Sequence, residues 1–90
     1  MGKKVRVTAK VATIMVDEAE IVVRLNAPAS AFADFMSGEI DRVLAAVGAI
    51  VIEHPYVDDS DRPLPVRDVD MDTLTAIVTA YGDRLSAPKD

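Results

Sequence analysis

Cysteine is absent from the 90-residue chain, and its absence excludes disulfide frameworks, thiolate nucleophiles and cysteine-based metal sites. Tryptophan is absent as well, and the aromatic residues are Phe32, Phe35, Tyr56 and Tyr81. Half of the residues are nevertheless apolar, so a core must be assembled from Val, Ile, Leu and Ala with some Met. Long apolar runs are missing too, and no stretch suffices to span a bilayer. The start, Met1-Gly2-Lys3-Lys4, leads into alternating polar and apolar residues rather than the continuous apolar segment of a signal peptide. Gly2 resembles a myristoylation start, but Arg6 stands where that motif takes Ser or Thr. The expectation is a cytoplasmic protein without a membrane segment. The isolated glycines form no phosphate loop, and neither a nucleophile elbow nor zinc spacing occurs.

What is present is enough for one domain, spanning 1–90. A chain of this size buries only a modest share of its surface, so its stability gains from a partner. The formal net charge is −5, unevenly distributed. Residues 1–24 carry five basic and three acidic residues, a net +2. Residues 25–90 carry five basic and twelve acidic residues, a net −7. An acidic body disfavours nucleic acid as a partner, while the basic beginning leaves an opening for it.

From Lys4 to Val16 the pattern has period two, with Val5, Val7, Ala9, Val11 and Met15 on one face and Lys4, Arg6, Thr8 and Lys10 on the other. Ala12, Ile14 and Val16 make the second face apolar as well towards the end of this run. Asp17 to Glu20 reads as a turn and Ile21 to Leu25 as a return strand, giving a β-hairpin over about 4–25. Asn26-Ala27-Pro28 opens a helix over about 28–36, with Asn26 or Ala27 as cap and Phe32, Phe35 and Met36 as its apolar stripe. Ser37-Gly38 interrupts. Ile40, Val43, Leu44, Val47, Ile50, Val51 and His54 then recur at helical spacing, which predicts a helix over 39–53 ended by Pro55. Val47 to Ile52 also reads as a strand, being apolar and β-branched; the unbroken offsets favour helix. A last helix is expected over 70–85, capped by Asp70 or Asp72, with Met71, Leu74, Ile77, Val78, Tyr81 and Leu85 facing inward. Residues 86–90 form a polar tail. The fold class is α+β: an N-terminal hairpin with two to three amphipathic helices packed on it.

Three features invite a chemical reading. The carboxylates Asp58, Asp59 and Asp61, then Asp68, Asp70 and Asp72, lack the central Gly and terminal Glu of a calcium loop, and Pro63 and Pro65 stiffen the segment. They read as a solvated turn and helix caps. His54, the sole histidine, has no nucleophile or orienting group near it in sequence. It reads as a structural or interface residue. Lys3, Lys4, Arg6 and Lys10 form a basic strand face that resembles the opening of the swapped-hairpin DNA-binding domains of bacterial antitoxins. That pattern continues with Gly-Gln, where this chain has Val11-Ala12-Thr13. As a plain strand face, the lysines discourage edge-to-edge aggregation. No catalytic residue, cofactor or metal is expected.

The turn Asp58-Asp59-Ser60-Asp61-Arg62-Pro63-Leu64-Pro65, set between two amphipathic helices, resembles the acidic turn ending in Pro-Leu-Pro of tail assembly chaperones of long-tailed phages. In that pattern Asp-Gly precedes the prolines; here Asp61-Arg62 stands there. The resemblance spans about 40–81 and implies a non-enzymatic assembly protein or virion component, resident in host cytoplasm or virion. The leading expectation is thus a protein–protein interaction protein, a homo-oligomer or the partner of another protein. Its interface candidates are Ile40, Val43, Leu44, Val47, Ile50, Val51, His54 and Tyr56. The alternatives are a small DNA-binding regulator using Lys3, Lys4, Arg6 and Lys10, and an acidic decoy presenting Asp58 to Asp72 to a basic partner.

Overall fold

A computed structural model describes residues 2–86. Strands β1 (Val11–Val16) and β2 (Ala19–Arg24) form an antiparallel hairpin, and β3 (Val51–Glu53) extends the sheet in the order β1-β2-β3. Helices α1 (Ala29–Met36) and α2 (Ile40–Ile50) lie between β2 and β3 in sequence, and α3 (Met71–Ser86) follows a 3₁₀ turn over Val66–Asp68. The molecule is an α+β fold with a hairpin first and amphipathic helices packed on it.

The hairpin turn is two residues, Asp17-Glu18, and pairs Val16 with Ala19 and Ile14 with Ile21. Asp17 sits at φ +55°, a left-handed conformation that Asp tolerates better than most residues. This register decides which face of β1 is buried. Both faces of this end of the run are apolar in sequence, yet Val11 and Met15 lie opposite Arg24 and Glu20, whereas Ala12 lies opposite Val23 and Ile14 opposite Ile21. Ile14, Val16, Ile21 and Val23 are therefore core, and Val11 and Met15 face out. Side-chain alternation makes the choice all-or-none.

The strand also starts later than its alternation suggests: residues 2–10 are outside any strand. After Arg24 the partner chain turns away into α1. The last main-chain bond, from Leu25 N–H to the Lys10 carbonyl, is 2.7 Å. Beyond it Asn26 substitutes for a ladder, its Oδ1 accepting the Lys10 N–H at 2.6 Å and its Nδ2 donating to the Thr8 carbonyl at 2.9 Å.

Helix α1 begins one position later than expected, with Pro28 itself at the cap position. Its inner face is Ala31 and Phe35, while Phe32 (66 % exposed) and Met36 face solvent. Gly38, at φ +75°, turns the chain into α2, with Ser37 Oγ donating to the Asp34 carbonyl and accepting the Glu39 N–H.

Helix α2 ends at Ile50, three residues short of the expected boundary, and Val51 is already extended. Val51 and Glu53 pair with Val23 and Val22 across a bulge. The helical spacing of Val51 and His54 was coincidental; the open edge of β2 claims the β-branched pair Val51-Ile52 instead.

Asp70 caps α3, accepting the Thr73 N–H at 3.2 Å and the Thr73 hydroxyl. Leu74, Ile77 and Tyr81 are buried with Val78 packed beside them, whereas Met71 and Leu85 are exposed. The Tyr81 hydroxyl donates to the Arg24 carbonyl at 2.7 Å, tying α3 to the end of β2. One core cluster joins the inner sheet face to Val47 and Ile50 of α2, Val66, and the α3 stripe. Among the described residues no helix is long and apolar enough to cross a membrane.

Candidate interaction surface

Residues 2–10 form an extended arm whose every residue is exposed. Val5 is 82 % and Val7 79 % exposed, and in sequence they continue the alternation of Ala9, Val11 and Met15. The helices cover one side of the sheet, so Val11, Met15 and the half-buried Val22 belong to its other side, where Thr13 faces Val22. Exposed apolar side chains thus occur both on the arm, at Val5 and Val7, and on the uncovered sheet face, at Val11 and Met15. The expected basic strand face does not form as a strand: Lys3, Lys4, Arg6 and Lys10 precede β1 on the arm, with the Lys10 backbone bonded to Leu25 and Asn26.

The expected interface stripe is dispersed. Val47 and Ile50 are core residues, and Val43, Leu44 and Val51 are half-buried against that core. Ile40 remains exposed at 54 %. His54 does not lie on a helix; it follows β3. Its Nδ1 accepts the Tyr56 N–H at 3.2 Å, and the two rings stand 5.5 Å apart, tilted by 31°. Partial burial, and then the carboxylates of Asp17 and Asp70, hold the Tyr56 phenol above its ordinary value. The pair links the chain leaving β3 to the acidic turn.

That turn is a miniature hairpin. Val57 bridges Pro63, Asp58 N–H donates to the Arg62 carbonyl at 2.8 Å, and Leu64 N–H donates to the Tyr56 carbonyl at 3.1 Å. The Asp58 carboxylate accepts the Ser60 and Arg62 N–H groups at 2.8 and 3.0 Å. Asp61 takes the left-handed position at φ +61°, the role a glycine would serve. Asp58 is thereby occupied by its own loop, Asp70 by its helix, and Asp59 and Asp61 face solvent. Among the described residues no three His, Asp or Glu side chains converge as a metal site.

A feature that spacing alone could not reveal is an open cavity of about 380 Å³ where α2, β3 and the 3₁₀ turn meet. Leu44, Ala45 and Gly48 form one wall, Ile52 of β3 and His54 just after it line another, and Val66 closes the far side. A Cβ at Gly48 would meet nothing within 4 Å, so no neighbouring helix approaches it. Val51 and Ile52 of β3 line the cavity, and β3 is an edge strand, at the end of the strand order. No family model matches the chain, and comparison with curated proteins and with solved structures finds no match.

Proposed function

We propose that this protein is a non-enzymatic interaction and assembly protein that works by associating with itself or with another protein. The exposure of Val5 and Val7 on an arm, and of Val11 and Met15 on an uncovered sheet face, carries the reading. Fully burying an aliphatic side chain of this kind contributes about 1.5 kcal/mol or more, and a monomer forgoes that at each of these positions. An exposed strand with one apolar side is a template for β-pairing in trans. The likeness of the Asp58–Pro65 turn to phage tail assembly chaperones supports a finer form, in which the partner is a tape-measure protein during tail building. Sedimentation equilibrium of the full chain tests self-association; strict monomers at high micromolar concentration rule that form out. Coexpression with a tape-measure protein tests the finer form, which predicts that its soluble yield rises.

A second reading has its own observation. Lys3, Lys4, Arg6 and Lys10 share an extended arm that can follow a phosphate backbone. It predicts salt-sensitive DNA binding that Lys4→Ala with Arg6→Ala abolishes. No gel shift at low salt removes it.

A further inference from the structure

Resting on the assembly reading, we propose that the arm of one copy adds as a strand to the outer edge of β3 in a second copy, seating Val5 and Val7 in the cavity floored by Gly48. The cavity lies on the helix side of the sheet, because α2 forms its wall. A strand laid on β3 alternates its side chains between that side and the opposite one. With Val5 and Val7 turned towards Leu44, Ala45 and Gly48, Lys4 and Arg6 fall on the outer side. Glu53 lies there too, since it pairs with the outward-facing Val22. Glu20, paired with the outward Met15, adds a second carboxylate to that side. The opposite facing is disfavoured: Arg67 lines the cavity and would meet the arm's cations.

The occupant is a second copy rather than the chain's own arm. β1 and β3 are opposite edges of the sheet, two strand spacings or about 9.5 Å apart. The arm leaves β1 at the end away from the hairpin turn, and Asn26 holds Thr8 and Lys10 on that line. Reaching its own β3 would require the arm to break both bonds and reverse. Pairing of two arms with each other is opposed by charge, since antiparallel arms bring Lys4, Arg6 and Lys10 of the two copies onto one face. The arm's positive charge instead meets a body of net −7 over residues 25–90. Reciprocal exchange closes into a two-fold dimer.

The cysteine-free chain allows a direct experiment. A Val7→Cys chain is mixed with an Ile52→Cys chain under mild oxidation, and the linked species are identified by peptide mass. The expected product joins position 7 of one copy to position 52 of the other. A product dominated by 7-to-7 links identifies arm–arm pairing and overturns the proposal. In parallel, sedimentation equilibrium compares the wild type with Val5→Asp/Val7→Asp and with Gly48→Leu. Both variants should weaken the dimer roughly tenfold or more. Circular dichroism should show both still folded, since Val5 and Val7 are exposed and Gly48 faces open space. A wild-type dimer that survives both changes overturns arm docking yet leaves the assembly reading standing. A monomeric wild type overturns this self-exchange, leaving only assembly with a different protein.

Discussion

Single residues carry local free energies whose sign follows from their surroundings. Gly48 lies inside α2 with open space beyond its Cα, so it incurs the entropic cost of glycine in a helix with no close approach to justify it. Gly48→Ala should raise stability by about 1 kcal/mol, measured as a higher urea midpoint at unchanged slope. Asp70 is held below its ordinary 3.8, first by the Thr73 hydroxyl and then by the Thr73 N–H. A depressed carboxylate contributes stability above its unfolded pKa and loses it as pH falls through the folded value. Asp70→Ala should therefore lower the neutral-pH Tm by about 5 °C, with the gap from wild type closing below the ordinary carboxylate range. Tyr81 behaves in the opposite sense. Burial raises its phenol above 10.0, so its contribution is intact below pH 10 and disappears as pH rises through the folded value. Tyr81→Phe removes the bond to the Arg24 carbonyl at a cost of about 1 kcal/mol near neutrality. Its unfolding free energy should then fall less steeply than that of the wild type in alkaline titration.

At the scale of elements, the arm and β3 are the two that differ most from their sequence pattern. The arm has the alternation of a strand but lacks a partner backbone once β2 turns away at Leu25 and Asn26. Removing residues 2–7 should leave the Tm of the folded unit within about 2 °C, because exposed segments contribute little to global stability. Thermal unfolding at a concentration low enough to keep the chain monomeric checks this. The helical stripe from Ile40 to Ile50 was legible because five apolar residues hold the 3.6-residue period. Val51 to Glu53 was not, since an apolar β-branched run fits either state until a strand edge lies beside it. The cavity was hidden, because its walls come from α2, β3 and the 3₁₀ turn, which sequence spacing does not relate.

The whole molecule has a radius of gyration of 14.5 Å and extents of 54 × 33 × 25 Å, against about 12 Å expected for a compact chain of this length. Charge separation between a basic arm and an acidic body gives the proposed self-association a salt dependence. The dimer should weaken several-fold between about 0.01 M and about 1 M ionic strength, as the Debye length shrinks from about 30 Å to about 3 Å; sedimentation at the two salts reads it. An association driven by apolar contact alone would strengthen or hold. The amino-acid sequence by itself determined the helical stripes, the hairpin, an aspartate cap at the start of α3 and the split of charge, because period, capping and composition act over a few neighbouring residues. Tertiary structure decided which face of β1 is buried, where that strand begins and that Val51–Glu53 joins the sheet. Each of those outcomes depends on the partner backbone and register across the sheet, which no local spacing encodes.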